Sequence, residues 1–305
     1  MSINIAIVPV AGLGTSVLPL TKSQPKEMLA LGRKPVVQYV VEELASNGIE
    51  RILFITSQGK SSIAAHFDID ENLIQYLRET GRETNLAELN YERQNIEYFY
   101  TRQRRQLGLG HAVLCAQPLV GKEPAVVALG DSIIGRRASS NIVSRMVEAY
   151  ETEKADVVIA LEAVDTDDVD QYGIVDVSED RQGLLRIRGA IEKPFAADAP
   201  SNLSIAARYV FSPAIYQALH EIEADRQGIL QLTDAIDYLI QQDAKVIGIQ
   251  LDPGVKRYDI GDFQSYFKTF LEFTLSDPEF GVSMQSFVQN YLEQLDQQAD
   301  QVEQG

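Results

Sequence analysis

The sequence predicts an α/β protein with a Rossmann-like, mixed but mostly parallel sheet that is flanked by helices. Apolar runs of strand length alternate with amphipathic helical patterns along much of the chain. The first run, residues 5–8, is almost entirely apolar, as expected of a strand that is buried on both faces. A loop of small residues, 11–15, follows it, at the position where doubly wound sheets bind their ligands.

The first half of the chain continues from this loop as a βαβ unit. Residues 34–48 carry proline near the first helical position, end in glycine and place apolar side chains at helical spacing. Residues 51–56 form the second predicted strand, and a polar, helical excursion over 67–95 follows it. Further strands are predicted at 96–100, 125–129 and 156–162, with a helix over 141–153 before the last of them.

The second half is predicted to contain a hairpin and two amphipathic helices. The hairpin strands are 172–177 and 184–194, around a turn that contains glycine. Thr233 or Asp234 is the expected N-cap of the second helix. The remaining elements are a strand at 203–211, helices at 213–221 and 231–240, and a strand at 245–251.

The domain organisation follows from what does not interrupt the chain. No repeat and no linker rich in Pro, Gly or Ser divides residues 1–275, so we predict one domain there, with halves at about 1–135 and 136–275. Residues 276–305 are expected to add a C-terminal helix and a polar tail. Apolar side chains recur at helical spacing from Phe280, whereas the segment from Asp296 is polar, rich in glutamine and expected to fray.

Composition excludes several classes of function. The net charge of −17 argues against general binding to nucleic acid or to an anionic membrane. No apolar run approaches the length of a membrane span, and no basic segment precedes the first strand, so we expect no membrane anchor and no signal peptide. The single cysteine, Cys115, excludes an internal disulfide and suits a reducing cytoplasm.

Two features place candidate binding groups at strand ends. The loop that contains Gly12 and Gly14 exposes backbone N–H groups to a ligand, and Lys26 and Glu27 follow it at short range. Asp131 ends the predicted strand at 125–129, where a carboxylate is costly without a cation. Coordination of Mg²⁺ is the natural role for Asp131, and the N-cap of a following helix is the alternative.

These stretches resemble the signature of sugar-1-phosphate nucleotidyltransferases, G-x-G-T-R followed by P-K. The chain has Val-Pro-Val-Ala-Gly-Leu-Gly-Thr at 8–15 and Pro-Lys-Glu-Met-Leu at 25–29, and is most similar to bacterial UTP–glucose-1-phosphate uridylyltransferases (UDP-glucose pyrophosphorylases). The resemblance covers roughly residues 3–275. It implies the nucleotide-diphospho-sugar transferase fold and Mg²⁺-dependent uridylyl transfer from UTP to glucose 1-phosphate, which yields UDP-glucose and pyrophosphate. It also implies a homodimer or homotetramer.

The resemblance assigns the first half of the domain to the nucleotide. The substrate-binding residues that it implies there are Ala11, Gly12, Gly14, Thr15, Glu27, Gln103, Gly108 and Gly110. The backbone of Ala11 and Gly12 would pair with uracil, and Glu27 and Gln103 would bind its remaining polar atoms and the ribose. Gly108 and Gly110 would let the chain approach the base, although both glycines could instead only begin a helix.

The resemblance assigns the second half to the sugar and sets the catalytic groups. Gly173 and Glu192 would bind the hexose, and Lys193 of the Glu-Lys-Pro motif would bind its phosphate as well as act in catalysis. Lys26 is the implied cation on the nucleotide phosphates. Asp131 is the implied catalytic metal ligand, and Asp259 is its implied partner.

One position departs from the family signature: Ser16 stands where the family has arginine. A catalytically weak or inactive paralogue, which binds sugar nucleotide or regulates an active homologue, is therefore the alternative function. Arg33, Arg104 and Arg105 are candidates to supply the missing charge. Ala207 replaces a usual glycine, which would tighten the sugar pocket. An NAD-binding oxidoreductase is excluded, because Val17 occupies the third glycine position of G-x-G-x-x-G.

Overall fold

The computed structural model describes residues 3–136, 139–181 and 184–303. Its strands are β1 (Ile5–Pro9), β2 (Ala30–Leu31), β3 (Lys34–Pro35), β4 (Arg51–Thr56), β5 (Glu97–Arg102), β6 (Ala125–Ala128), β7 (Ser132–Ile134), β8 (Val157–Ala163), β9 (Gly173–Arg181), β10 (Leu184–Glu192), β11 (Leu203–Phe211), β12 (Val246–Gln250) and β13 (Arg257–Asp259). Its α-helices are α1 (Val36–Ser46), α2 (Ser61–Phe67), α3 (Glu71–Glu79), α4 (Leu109–Leu114), α5 (Gln117–Val120), α6 (Ile142–Glu153), α7 (Ala214–Glu221), α8 (Leu232–Gln241), α9 (Phe263–Leu275) and α10 (Gly281–Glu303). Short 3₁₀ segments lie at Thr15–Val17, Leu20–Lys22, Lys26–Met28, Glu83–Arg93 and Thr166–Gln171.

A nine-stranded sheet carries the fold, in the order β5-β4-β1-β6-β11-β8-β12-β10-β9. The four strands of the first half, β5, β4, β1 and β6, are parallel to one another. Strand β11 is antiparallel to both of its neighbours in this order, β6 and β8, whereas β12 is parallel to β8. The sheet is thus mixed, and helices flank it, which confirms the predicted fold class.

The core lies on both faces of this sheet, because the central strands are apolar on both sides. One layer packs α1 and α6 against alternate residues of the strands, such as Val8 and Phe54. The other layer packs α4, α7 and α8 against the opposite residues, such as Ile7 and Leu53. Side chains of β1 therefore enter both layers, as the continuous apolar run predicted.

The parallel strands of the first half bring three connections to one edge. The loop after β1, the segment after β4 and the turn after β6 all leave from the carboxyl ends of their strands. A separate two-stranded ribbon, β7 with β13, lies beside them and pairs Ser132 with Asp259. The N–H of Ile260 also donates to the Asp131 carbonyl at 3.3 Å. The ribbon therefore holds Asp259 beside Asp131, although the two are far apart in sequence.

Two local expectations are wrong. Gln231 occupies the N-cap of α8 and makes no side-chain capping bond, so neither Thr233 nor Asp234 is the cap. An extended segment, β7, follows Asp131, which removes the helix-cap alternative for that carboxylate. Helix α10 continues to Glu303, through the segment that was expected to fray. Glutamine, glutamate and alanine favour helix, and no Gly or Pro interrupts the backbone there.

None of the helices in the described parts of the chain is both long and apolar enough to cross a membrane.

Candidate active site

Two adjoining cavities open at the carboxyl edge of the sheet. The larger cavity has a volume of about 400 Å³ and is lined by Pro9, Ala11, Gly12, Leu13, Gly14, Thr15, Lys26, Glu27, Gln103, Gln106, Gly108, Leu109, Ala112, Leu129 and Asp131. The smaller cavity has a volume of about 170 Å³ and is lined by Leu109, Leu129, Gln171, Tyr172, Gly173, Glu192, Ile205, Ala207, Tyr209, Gln231, Leu232, Thr233 and Arg257. Leu109 and Leu129 line both cavities, so a ligand that fills the two would be continuous.

The glycine loop forms one wall of the larger cavity. Gly14 has a left-handed φ of +67°, and a Cβ built there would lie 3.1–3.3 Å from atoms of Thr21 and Lys26. The hydroxyl of Thr21 donates to the Gly14 carbonyl at 2.6 Å, which fixes the turn. Gly12 is exposed and has open space beside it. The loop therefore lies close to Lys26 and leaves its backbone accessible to a ligand.

Lys26 and Asp131 form an ion pair on the floor of the larger cavity. The Lys26 Nζ lies 2.5 Å from the Asp131 carboxylate, and both side chains are largely buried. Burial disfavours the ammonium, but the charge and hydrogen bond of Asp131 outweigh burial and raise the pKa of Lys26. Burial would likewise raise the pKa of Asp131, but Lys26 holds that pKa below its usual value. Both groups are thus charged at neutral pH.

Asp131 and Asp259 form a pair of neighbouring carboxylates. Burial, and then the like charge of Asp131, raise the pKa of Asp259, while Arg257 and Lys26 oppose the shift. No cluster of three or more His, Cys, Asp or Glu side chains suited to a metal occurs among the described residues. Mg²⁺ does not need such a cluster, since it is commonly held by one or two carboxylates together with substrate phosphates. The donor set at this edge fits a hard divalent cation.

Glu27 is buried beside this pair, and a residue that sequence reasoning missed holds it there. The Lys60 Nζ lies 2.6 Å from the Glu27 carboxylate, and both side chains are almost fully buried. Burial raises the pKa of Glu27, and Lys60 acts against that shift. Lys60 follows β4, at the same carboxyl edge as the glycine loop. Its place just after a predicted strand is the sequence feature that could have indicated a role for Lys60 at the site.

Gln103 and Gly108 also line the larger cavity, and Gly110 follows in α4. The Gln103 side-chain amide donates to the Gly108 carbonyl at 2.9 Å and lies 2.9 Å from His111 Nδ1. A Cβ built on Gly108 would lie 2.6 Å from the Ile229 side chain, and a Cβ built on Gly110 would lie 2.8 Å from the Leu219 side chain. Packing alone therefore requires glycine at both positions. Helix α4 starts directly after Gly108. Gly108 lines the larger cavity, whereas Gly110 does not.

The smaller cavity brings together Gly173, Glu192 and Thr233. The Thr233 hydroxyl donates to the Glu192 carboxylate at 2.7 Å. A Cβ on Gly173 would lie 3.1–3.2 Å from Ile205, Thr233 and Glu192, so the chain approaches closely here. One oxygen of Glu192 is therefore oriented by Thr233, and the other has no side-chain hydrogen bond among the described residues.

Lys193 does not accompany Glu192 into this cavity. It is exposed, has a left-handed φ of +47° and lies outside the lining of either cavity. Its backbone N–H donates to the Tyr172 carbonyl at 2.9 Å, which fixes the turn. The cation that does line the smaller cavity is Arg257, which sequence reasoning also missed. Its position two residues before Asp259 on one strand places both on the same face.

The positions at which the chain departs from the family signature, Ser16 and Ala207, differ in their exposure to the cavities. Ser16 is exposed and lies outside both cavity linings. Ala207 lines the smaller cavity and has a left-handed φ of +57°, a conformation that disfavours any residue except glycine. Arg104 and Arg105 are exposed on the segment that leads to Gly108.

Arg33 does not fill the missing charge of the signature. Its guanidinium lies 3.2 Å from the Asp277 carboxylate and 3.1 Å from that of Glu279, and it stacks over Phe280. These contacts place Arg33 against the segment between α9 and α10. The expectation that Arg33 supplies the lost cation is therefore wrong, because acidic residues near the C-terminus bind it instead.

The sheet, the glycine loop and the paired cavities define a nucleotidyl transferase. The sequence model of the nucleotidyl transferase family matches residues 5–275, and the chain belongs to this family. UTP–glucose-1-phosphate uridylyltransferase 1 of Staphylococcus saprophyticus is 38% identical over 290 residues, which are 95% of this chain and 99% of that protein. The resemblance stated from the sequence motifs is confirmed.

Solved structures agree with this assignment. A UTP-bound UGPase from Acinetobacter baumannii has a TM-score of 0.85 and 37% identity, and the match covers 94% of this chain and 98% of that one. A UDP-glucose pyrophosphorylase complexed with UDP-glucose has a TM-score of 0.78 and 31% identity, with 89% and 98% covered. The nucleotide-diphospho-sugar transferase fold is thereby confirmed.

Proposed function

We propose that this chain is a UTP–glucose-1-phosphate uridylyltransferase, which forms UDP-glucose and pyrophosphate. The observation that carries the proposal is that the cavity lined by the Lys26–Asp131 ion pair adjoins the smaller cavity at Leu109 and Leu129. A nucleotide in the larger cavity and a hexose phosphate in the smaller one would present their phosphates to each other at this point. The similarity to uridylyltransferases over nearly the whole chain supports UTP and glucose 1-phosphate as the pair.

The reaction asks the protein mainly to position anions. A phosphate oxygen of glucose 1-phosphate attacks the α-phosphorus of UTP, and the bond from that phosphorus to the bridging oxygen breaks. Pyrophosphate leaves with the bonding electron pair, so no side chain has to form a covalent intermediate. Positioning and charge neutralisation therefore supply most of the rate enhancement. Lys26, which is charged and fixed by Asp131, is the preformed cation on the nucleotide phosphates.

The binding residues divide between the two cavities. The backbone of Ala11, Gly12, Gly14 and Thr15 would hold the nucleotide, with Glu27 and Gln103 on its polar atoms and Gly108 beneath the base. Gly173 and Glu192 would hold the hexose in the smaller cavity. Lys193 would reach the sugar phosphate from its exposed turn, and Gly110 would act only by shaping α4.

Asp131 and Asp259 would hold a divalent cation, which we assign as Mg²⁺. Nucleotidyl transferases generally use a divalent metal, and carboxylate oxygens with phosphate oxygens are the ligands that Mg²⁺ prefers. When bound, the ion would neutralise charge on the phosphates. It would also offset the repulsion between Asp131 and Asp259, which adds to burial in raising the pKa of Asp259.

Ser16 favours a second candidate, a paralogue that binds sugar nucleotide without turnover. Serine supplies neither the charge nor the bidentate contact of arginine. Losing one preorganised donor of this kind typically costs about 10²–10³ in rate. We therefore expect slow turnover rather than none, because the remaining phosphate, metal and sugar positions of the signature are retained.

An exposed apolar stripe on α10 supports a homodimer or homotetramer. Phe287, Tyr291 and Leu292 are each more than half exposed, and they lie on neighbouring turns of one helix. Contiguous apolar surface of this kind usually marks an interface, and self-association through a symmetric contact is its commonest form. The single cysteine further supports a reducing compartment such as the cytoplasm.

A pyrophosphate-release assay tests the proposed activity. UTP and dTTP are each paired with glucose 1-phosphate and with other hexose 1-phosphates, with and without Mg²⁺. We expect release above background with UTP and glucose 1-phosphate, dependent on Mg²⁺. Release with every pair except this one would overturn the substrate assignment. Absence of release with all pairs, together with retained binding of UDP-glucose, would leave the noncatalytic paralogue.

A further inference from the structure

The smaller cavity presents an electrostatic problem for a sugar phosphate. Glu192 lines it, and Glu162 and Asp259 lie next to its lining residue Arg257. A phosphate dianion that enters this region meets several carboxylates. Lys193, the cation that the sequence motif suggests, is exposed and lies outside the lining. Within the described lining residues, Arg257 is the cationic one.

Arg257 is held rigidly at this position. Its backbone N–H and its Nε both donate to the Glu162 carboxylate, each at 3.0 Å. Its guanidinium lies 4.5 Å from the centre of the Tyr172 ring, which also lines the cavity. The side chain is only 6% exposed. A guanidinium that is fixed on two sides loses little further conformational entropy when it binds a ligand.

The terminal nitrogens of Arg257 have donor capacity left. A guanidinium carries five N–H donors, and Glu162 uses the one on Nε. The Nη1 atom lies 3.7 Å from the Asp259 carboxylate, which is too far for a hydrogen bond. Among the described residues no hydrogen bond engages Nη1 or Nη2. The fork of donors that matches a phosphate is therefore available on a residue that lines the smaller cavity.

We propose that Arg257 binds the phosphate of glucose 1-phosphate and holds its attacking oxygen beside Asp131 and Asp259. This inference rests on the proposed function, and it adds a phosphate-binding residue that the sequence motifs do not assign. Arg257 connects the two parts of the site, because it lines the sugar cavity and shares one face of β13 with Asp259. Tyr172 and Glu162 act as positioning residues for it.

A purely structural role predicts a different outcome. If Arg257 only neutralises Glu162 and Asp259, removing it should destabilise the fold and weaken the binding of both substrates to the same extent. A phosphate ligand should instead affect the sugar phosphate selectively. Loss of a bidentate, charge-assisted contact should lower the affinity for glucose 1-phosphate roughly 10- to 100-fold. UTP binds in the larger cavity, which Arg257 does not line.

The test compares four variants of the full chain. Arg257→Gln removes the charge, Arg257→Lys keeps the charge without the fork, and the double variant Arg257→Gln/Glu162→Gln avoids an uncompensated buried carboxylate. Lys256→Gln is the matched control, because it removes the same charge one residue away, from an exposed side chain paired with Glu272. Glucose 1-phosphate binding is measured by calorimetry, and KM is measured for each substrate.

We expect Arg257→Gln and the double variant to raise the KM and the dissociation constant for glucose 1-phosphate about 10- to 100-fold, with the KM for UTP within about threefold. Arg257→Lys should recover part of the loss, and Lys256→Gln should behave as the wild type. An equal loss for both substrates, or unchanged glucose 1-phosphate binding in the folded double variant, would overturn the inference. Wild-type protein that releases no pyrophosphate and binds no glucose 1-phosphate would instead refute the proposed function.

Discussion

The buried ion pair between Arg208 and Glu43 gives the most quantitative prediction about stability. The Arg208 side chain is 0% exposed and that of Glu43 is 1% exposed, and the Nη2–Oε2 distance is 2.6 Å. Arg208 also donates to the carbonyls of Ala207 at 3.0 Å and Ser132 at 2.9 Å. One guanidinium therefore joins α1, the left-handed residue of β11 and the start of β7, directly behind Asp131.

Removing either partner alone should lower the free energy of unfolding strongly. Removing both should lower it by less than the sum of the two single effects. Arg208→Met leaves a buried carboxylate without its cation, and Glu43→Leu leaves a buried guanidinium without its anion. Each should lower the free energy of unfolding by about 3–5 kcal/mol. The double variant replaces the pair by apolar groups of similar volume and should cost clearly less than the sum of the two single changes.

The pH dependence of Arg208→Met provides an independent check. Burial already raises the pKa of Glu43 above 4.5 in spite of Arg208, and loss of Arg208 should raise it further. A folded-state pKa above the unfolded value means that the folded state binds the proton more tightly. Stability of Arg208→Met relative to the wild type should therefore be greatest below about pH 4.5 and decline as the pH rises through the raised pKa.

Urea denaturation of the wild type, both single variants and the double variant measures these quantities. Lys34→Met/Glu42→Leu is a matched control, since this pair has a 2.8 Å contact but a Lys34 side chain that is 40% exposed. Its single changes should cost about 0–1 kcal/mol. A cost below about 1 kcal/mol for Arg208→Met, or additive single and double effects, would refute the assignment of strong coupling.

Four further predictions concern the site and the surface. Asp131→Ala should abolish Mg²⁺-dependent pyrophosphate release while circular dichroism stays native-like, and unchanged Mg²⁺ dependence would remove Asp131 from the metal site. Ser16→Arg should raise kcat by up to about 10²–10³, whereas an unchanged kcat would indicate that Arg104 or Arg105 already supplies the charge. Ala207→Gly should relieve left-handed strain of about 1 kcal/mol and raise Tm, and a lower Tm would contradict that origin. Leu292→Glu should dissociate the proposed oligomer in light scattering, and an unchanged mass would exclude α10 as its interface.

The parts of the site that the sequence predicted are those that local patterns determine. The apolar run of β1 predicts a strand that is buried on both faces. A loop with Gly12 and Gly14 after such a strand is typical of a ligand site at the carboxyl end of the sheet. Asp131 was predicted on the same grounds, because it ends a buried strand. Glu192 was predicted from its motif, and it lines the smaller cavity.

The residues that sequence reasoning missed depend on contacts between distant segments. Lys60 is buried only because β4 ends beside Glu27, 33 residues away in sequence. Arg257 lines the smaller cavity because β13 pairs with β7 and because Glu162, 95 residues away, binds it. A lysine or arginine in sequence is usually a solvated surface charge, and only tertiary packing shows otherwise.

The same reasoning explains the positions of two further cations, Arg33 and Lys193. Arg33 was one of three candidates to supply the missing charge, but Asp277 and Glu279 bind it from the far end of the chain. Lys193 stays a predicted ligand of the sugar phosphate, and its left-handed turn places it in an exposed position outside the lining of the smaller cavity. Neither an ion pair across 246 residues nor a positive φ at a lysine is visible in local pattern.

Uridylyl transfer itself is tested most directly by following both products at once. The wild-type chain is incubated with UTP, Mg²⁺ and isotopically labelled glucose 1-phosphate, UDP-glucose is quantified by mass spectrometry, and pyrophosphate is quantified enzymatically. We expect labelled UDP-glucose and pyrophosphate to form in equal amounts, and Asp131→Ala to form neither. Protein that binds UDP-glucose but forms no labelled UDP-glucose under these conditions would contradict the proposed reaction.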